Sequence, residues 1–293
     1  ISLCGKEGRI LMVENRPILR FLSHLILILG VLCVFLPIWI AFVASTHAPH
    51  ELLSAPIPWL PGDQFIQNYS EVLQEGVSGS DSISVAKMLF NSMIMALSIA
   101  IGKISISILA AYAIVYFQFP FRMTVFWIVF MTLMLPVEVR IVPTFSVIAS
   151  LGLLNSYAGL SIPLIASATA TFLFRQFFMT IPKELVEAAK MDRAGPLKFF
   201  RDILLPLSRT NLAALFVILF TYGWNQYLWP LLVTSDESYA TIVVSIQKMM
   251  TAAESEPQWH LIMATSVLAM IPPVLVVIFM QKAFVKGLVD TEK

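Results

Sequence analysis

The chain has 293 residues, of which 58% are hydrophobic and only 13% are charged, and its mean hydropathy is +0.83. Because charged residues make up about 25% of an average soluble domain, this composition argues against a soluble protein and indicates an integral membrane protein. The two cysteines, Cys4 in an N-terminal leader and Cys33 in an apolar run, cannot form a disulfide framework.

Six apolar segments have roughly the 20 residues that a membrane-spanning helix needs. They cover residues 21–43, 88–116, 123–142, 157–178, 207–228 and 261–280. The third is the least regular, because its end is interrupted by Pro136, Glu138, Arg140 and Pro143. The sequence therefore predicts an all-α integral membrane protein with six transmembrane helices and no inserted soluble domain.

Lysines and arginines are distributed unevenly between the predicted loops. If the spans alternate, fifteen of the nineteen fall on one side of the membrane, whereas residues 44–86 hold five acids and no basic residue. The positive-inside rule then predicts that both termini and residues 180–206 are cytoplasmic. The predicted organisation is a cytoplasmic segment 1–20, a first helix 21–43, a periplasmic loop 44–86, a bundle 87–282 and a cytoplasmic tail 283–293. Residues 1–11, which precede Met12, could be an upstream extension.

Residues 180–206, TIPKELVEAAKMDRAGPLKFFRDILLP, form the longest charged interval between two apolar runs. Thr180 suits an N-cap, and a proline at 182 suits a first helical turn. The pattern predicts a helix over 182–192, a break at Gly195-Pro196 and a second short helix that ends near Pro206. Two short helices that are exposed to water beside a membrane are typical of a docking surface.

The spacing within this segment resembles the EAA loop of MalG-like permeases in bacterial binding-protein-dependent (type I) ABC importers. The family pattern is E-A-A-x3-G-x9-I-x-L-P, and the matching residues are Glu187, Ala188, Ala189, Ile203, Leu205 and Pro206. The resemblance implies a cytoplasmic coupling helix between helices 4 and 5 that docks on an ATPase, with Asp192 and Arg193 in the same surface. Arg193 stands where the family has glycine, and a positive φ there would cost a non-glycine residue about 1 kcal/mol. Gly195 is the alternative residue for that turn.

The likeness extends over nearly everything from Met12 onward, including the runs 132–141, 167–189, 211–218, 222–232 and 286–290. These runs look like the branch of permeases that serves sn-glycerol-3-phosphate importers. This implies a sister permease subunit, two ATPase subunits and a periplasmic substrate-binding protein, assembled in the lipid bilayer of the inner membrane. The implied substrate is sn-glycerol 3-phosphate or a glycerophosphodiester, and a malto-oligosaccharide type of sugar importer is the alternative.

Four polar residues inside or at the ends of spans are candidates for the translocation path: Lys103, Asn91, Asn225 and Gln226. A lysine at the bilayer centre costs ~3 kcal/mol on insertion scales, so Lys103 should face a partner or a watery path. A phosphate ester is one anionic counterpart, and a structural ion pair is the other interpretation. The three amides could equally hydrogen-bond between helices. Glu138 and Arg140 suggest an outer gate or a local ion pair.

The sequence lacks the motifs that would make this chain an enzyme. It has no G-x-x-x-x-G-K-[ST] and no G-x-S-x-G, and His47, His50 and Glu51 do not have the spacing of a zinc site. We therefore expect a non-catalytic subunit with no cofactor, no metal and no nucleic-acid partner, in which ATP is used by the partner ATPase. A secondary transporter is a distant alternative, since no predicted span has a central acid.

Overall fold

A computed structural model of the chain describes residues 17–53, 58–74, 83–132, 137–251 and 257–289. These residues form helices joined by turns, and the described ranges contain no strand. The helices in chain order are α1 (Pro17–Ala44), α2 (Pro49–Leu52), α3 (Phe65–Gln74), α4 (Val85–Tyr116), α5 (Arg122–Met131), α6 (Val137–Ser150), α7 (Tyr157–Ser161), α8 (Ala168–Thr180), α9 (Lys183–Met191), α10 (Pro196–Phe199), α11 (Leu205–Leu207), α12 (Arg209–Trp224), α13 (Leu228–Val233), α14 (Ile242–Thr251) and α15 (Trp259–Val289).

Three of the predicted spans are single long helices. The first, second and sixth correspond to α1, α4 and α15, each of which is long and apolar enough to cross a membrane. The central one, α4, packs against both α8 and α12, whereas α1 lies on α15 and keeps most of its apolar surface exposed. The core of the bundle therefore lies around α4.

The fourth predicted span, 157–178, is a broken helix. Residues Tyr157–Leu164 and Ala168–Thr180 are two helical pieces bent by 48°. Pro163 removes a backbone donor from the first piece, and the Ser167 hydroxyl accepts a hydrogen bond from the amide of Ala170 at 3.2 Å, so it caps the start of α8.

The fifth predicted span, 207–228, is also broken. Helix α12 ends at Trp224, residues 225–227 leave the helix, and α13 begins at Leu228. Before α12, the segment Pro196–Leu207 meets it at a bend of 72°. The third predicted span corresponds to α5 and α6, with 133–136 outside the described residues.

Helix α6 passes the predicted span end at 142 and continues through Pro143 to Ser150. The polar residues of this extension fit a helix because their hydroxyls bond back to the preceding turn. Thr144 donates to the carbonyl of Arg140 at 2.7 Å, and Ser146 donates to that of Val142 at 3.2 Å.

Both long predicted loops contain helices that sequence analysis missed. The loop 44–86 includes α3, which buries Asn68 and Val72 and packs on α15. The loop after the fifth span includes α14, which packs on α15 and α4. Both helices are amphipathic, and a search at helical period could have found them.

Close approach of α12 to α4 depends on Gly223. A Cβ atom at this position would lie 3.0 Å from the Cα of Ala96 and 3.4 Å from the Cβ of Ile99. The neighbouring Trp224 is buried, and its indole nitrogen donates to the carbonyl of Ala269 in α15 at 3.1 Å. This end of α12 is therefore fixed between α4 and α15.

We predict that Gly223→Val destabilises the bundle by about 1–3 kcal/mol, because the added methyl groups must displace the α4 backbone. Thermal unfolding of the purified protein in detergent measures this as a lower midpoint. Gly30→Val in α1 is the matched control, since a Cβ atom there meets nothing within 4 Å. Equal midpoints for both variants would contradict the packing described here.

Candidate functional site

The charged segment 180–206 begins with a turn rather than with the predicted cap. Thr180 is the last residue of α8, and its hydroxyl donates to the carbonyl of Phe177 at 2.7 Å. The prediction that Thr180 is the N-cap of the next helix is therefore wrong. Pro182 occupies that position, and α9 runs from Lys183 to Met191, within one residue of the predicted helix.

Helix α9 exposes one of the two alanines and buries the other. Glu187 and Ala188 are exposed to solvent, whereas Ala189 packs in the hydrophobic core of this chain. A small side chain at 189 therefore lets α9 lie close against its own bundle. Of the three EAA residues, only Glu187 and Ala188 are left to contact a partner.

Arg193 adopts the left-handed conformation that the family glycine predicts, with φ of 52°. Its amide donates to the carbonyl of Lys190, and the amide of Ala194 donates to that of Ala189, at 3.0 and 2.9 Å. These two bonds form a Schellman motif at the end of α9, in which the residue after the cap has a positive φ. Gly195 does not take over this turn, because its φ is −65°. Arg193 itself therefore carries the strain.

The second part of the segment follows the predicted break at Gly195-Pro196. A continuous helical run then extends to Leu207, formed by α10, a π-helical turn over Phe200–Leu204 and α11. Of the remaining motif residues, Ile203 and Pro206 are half-buried, while Leu205 is exposed. Asp192 is exposed at the turn between the two helices.

The segment presents apolar side chains to solvent among its charges. Met191 is 83% exposed and Leu197 is 78% exposed, on either side of the turn at Arg193. Exposed apolar residues at this level beside charged ones are typical of a surface that another protein covers. We call the exposed side chains of 183–198 the coupling surface.

Aromatic packing attaches this segment to α4. The Tyr112 hydroxyl donates to the carbonyl of Pro196 at 2.8 Å, and its ring lies 5.1 Å from that of Phe200. One turn later, the Tyr116 ring lies 5.2 Å from that of Phe199, which is buried. The second helical run is therefore held on the last two turns of α4.

A cavity of about 370 Å³ lies where α4, α6 and the break after α12 meet. It brings together three of the predicted path residues, which are Lys103, Asn225 and Gln226. Arg140 and Tyr222, which sequence analysis did not assign to the path, line it as well. Lys103 lies roughly 20 Å along α4 from the end that holds the charged segment, as expected for the middle of a membrane.

Lys103 is only 7% exposed. Its ammonium nitrogen lies 3.8 Å from the centroid of the Tyr222 ring, a cation–π contact worth up to about 2 kcal/mol when it is desolvated. Within the described residues it forms no ion pair and no hydrogen bond. The structural ion pair considered for Lys103 is thus absent from that part of the chain.

The polar residues at the break 225–227 face the same cavity. The Gln226 amide nitrogen donates to the carbonyl of Tyr222 at 3.1 Å, which leaves its amide oxygen available. Asn225 is exposed, and its side chain makes no hydrogen bond to the described residues. Neutral donors and acceptors are therefore available beside the two cations.

Asn91 lies elsewhere and has a different environment. It is fully buried, and its amide nitrogen donates to the carbonyls of Ser238 and Ala240, each at 2.9 Å. Its amide oxygen accepts from the Tyr157 hydroxyl at 2.8 Å. Asn91 therefore fixes the loop before α14 to α4, and it does not line the cavity with the other three candidates.

Arg140 and Tyr222 were missed for different reasons. The sequence around Arg140 indicates an outer gate or an ion pair with Glu138, whose side chain lies outside the described residues. Arg140 and Lys103 line one cavity because of how α6 packs in the bundle, where it contacts α13, and no sequence pattern encodes that packing. The signal for Tyr222 was the run YGWNQ, where an aromatic residue precedes two amides at a helix end.

Comparison with known proteins gives one family and close relatives. Residues 103–290 match the family described as "Binding-protein-dependent transport system inner membrane component". Three relatives, each described as sn-glycerol-3-phosphate transport system permease protein UgpE, align over 282 residues, which is 96% of this chain and 100% of the relative. The identities are 58% for Agrobacterium fabrum, 57% for Rhizobium meliloti and 56% for Yersinia pestis.

The fold also has a counterpart among solved structures. A chain in the crystal structure of a bacterial ABC transporter involved in the import of the acidic polysaccharide alginate superposes with a TM-score of 0.80. The match covers 93% of this chain and 98% of that chain, at 21% sequence identity. At this identity the likeness concerns the fold alone, and it confirms the predicted all-α membrane architecture.

We predict that Arg193→Gly raises the free energy of unfolding by about 1 kcal/mol, because glycine adopts a positive φ without the steric cost. The thermal midpoint of the purified protein measures the gain. Lys198→Gly is the matched control: it also removes one cation from the segment and adds a glycine, but within helix α10. It should lower stability by about 1 kcal/mol, and a shift of the same sign in both variants would contradict the Schellman assignment.

Proposed function

The chain belongs to the family of binding-protein-dependent transport system inner membrane components, and we propose that it imports sn-glycerol 3-phosphate or glycerophosphodiesters. It is a membrane permease subunit of an ABC importer and not a catalytic one. The single observation that supports this substrate class is the name shared by relatives that match the chain over almost its whole length. The two cations of the cavity agree with an anionic substrate.

The proposed complex contains this subunit, a sister permease, two ATPase subunits and a periplasmic substrate-binding protein. Both termini and the coupling surface face the cytoplasm, where the lysines and arginines are concentrated. Glu187 and Ala188 lie in the contact with the ATPase, and Asp192 and Arg193 form its edge. Substrate enters from the periplasmic side and passes Lys103, Asn225 and Gln226.

The proposed mechanism uses the attachment of the coupling surface to α4. Closure of the ATPase dimer on ATP displaces 184–203, and Tyr112 transmits that displacement to α4 through its bond to Pro196. Because α12 continues directly from the segment, it moves as well. The two helices then change access to the cavity by a rigid-body movement.

A permease for a neutral sugar is the second candidate, and the observation that favours it is the available amide of Asn225 and amide oxygen of Gln226. Such a substrate would leave the charges of Lys103 and Arg140 without a counterion. The charge of Lys103, which is only 7% exposed, is costly unless it is paired, so an anionic substrate fits the cavity better.

We predict that the complete importer, reconstituted in proteoliposomes with its binding protein, takes up labelled sn-glycerol 3-phosphate on addition of ATP. Labelled maltose, supplied with the same importer, should not accumulate above the level seen without ATP. Preferential accumulation of maltose would show that the proposed substrate class is wrong.

We predict that Glu187→Lys and Ala188→Trp each reduce ATP-driven uptake at least about tenfold, since one reverses a contact charge and the other blocks close approach. In both variants, less ATPase should copurify with the permease than in the wild type. Glu237→Lys is the control for charge reversal, because this exposed residue lies in the loop before α14. Normal uptake and normal ATPase retention in both α9 variants would exclude this surface as the ATPase contact.

A further inference from the structure

We infer that Lys103 and Arg140 form an anion subsite in this subunit, which holds the phosphate group of a phosphate ester during translocation. The inference rests on the proposed function and deepens it, because it assigns part of the substrate selection to this permease subunit as well as to the binding protein. The subsite is the side of the 370 Å³ cavity that α4 and α6 form.

Lys103 has no ion-pair or hydrogen-bond partner among the described residues. Its side chain is only 7% exposed, and its ammonium group lies over the face of the Tyr222 ring. An aromatic face orients an ammonium group without neutralising its charge. The ammonium group is therefore held at the cavity wall with its charge available to an anion.

A second cation, Arg140, lines the same cavity as Lys103. Arg140 projects from α6, and Thr144, one turn later, lines the cavity beside it. None of the residues described as lining this cavity is acidic. Arg140 is exposed, so its guanidinium is accessible to an anion that enters beside the buried Lys103. Arginine and lysine are also the side chains that bind phosphate best, as a fork and as a point charge.

The same cavity has neutral polar groups that suit the glycerol end of the substrate. Asn225 and Gln226, at the break after α12, offer an amide group and an amide oxygen that no described residue uses. Hydroxyl groups of a glycerol moiety can donate to and accept from such amides. The cavity thus has a cationic side for phosphate and a neutral polar side for hydroxyls.

The test uses the complete importer with its binding protein in proteoliposomes, and the wild type must first take up labelled sn-glycerol 3-phosphate. Lys103→Met and Arg140→Met should each reduce uptake about 10- to 100-fold, and the double variant more, because each removes a charge-assisted contact. ATP hydrolysis stimulated by the loaded binding protein should persist, since the coupling surface is intact. Lys103→Arg should retain more uptake than Lys103→Met.

Two controls separate the subsite from other roles of these charges. Lys87→Met removes an exposed cation from the same helix outside the cavity, and its uptake should equal that of the wild type. Glu138→Gln tests the ion pair: if Arg140 serves Glu138 instead of substrate, this variant loses as much uptake as Arg140→Met. That result overturns the subsite, as does normal uptake by the Lys103→Met and Arg140→Met variants.

Assembly and substrate class are checked separately from the subsite. Copurification of all subunits and an unchanged thermal midpoint show that each variant is folded, so a loss of uptake is not a loss of protein. If the wild type accumulates a neutral sugar and no phosphate ester, the proposed function fails before the variants are compared. If the wild type imports the phosphate ester and both methionine variants do so equally well, only the subsite fails.

Discussion

The contact of Tyr112 with Pro196 and with the aromatic residues that follow it is the constraint on which the rest of the structure depends. The hydroxyl bond of 2.8 Å to Pro196 and the tilted and edge-on contacts among the rings of Tyr112, Tyr116, Phe199 and Phe200 attach the charged segment to one end of α4. Helix α4 is continuous from Val85 to Tyr116, so Lys103 lies on the same element as this attachment. Helix α12 follows the segment directly and carries Tyr222, the other half of the Lys103 contact. The coupling surface and the cavity are therefore two ends of the same pair of helices.

Helix breaks give the cavity its polar character. A backbone group that is freed inside a bilayer must find a partner, so interrupted helices at membrane depth occur where they are buried in protein or line a watery space. The breaks at 165–167 and 225–227 fulfil this condition, because Ala166, Asn225 and Gln226 line the cavity. Close packing of α4 and α12 at Gly223 keeps the break after Trp224 near Lys103. Part of the polar lining of the cavity thus comes from residues at the breaks in apolar helices.

Composition and local spacing were sufficient to predict the features that lie within one segment of the chain. The three long spans, the break at Gly195-Pro196 and the family, inferred from Glu187 through Pro206, are confirmed. Hydropathy over a whole span could not reveal gaps of three residues, so the breaks in the fourth and fifth spans were missed. The positive φ at Arg193 was predictable, because the family pattern has glycine there. The approach of Arg140 to Lys103 and the burial of Ala189 were not, since both depend on how separate helices pack.

The most direct test of this account is a distance measurement between spin labels in the assembled importer, with Cys4 and Cys33 replaced by serine. One label replaces Lys198 in the charged segment and the other replaces Ile101, an exposed residue of α4 close to Lys103. If the charged segment and α4 move as one body, the 198–101 distance is the same in the resting state and in the ATP-trapped state, while the distance from Ile101 to a label at Val142 on α6 changes. A 198–101 distance that shifts between the two states would contradict the proposed rigid-body movement, because the segment would then move without α4.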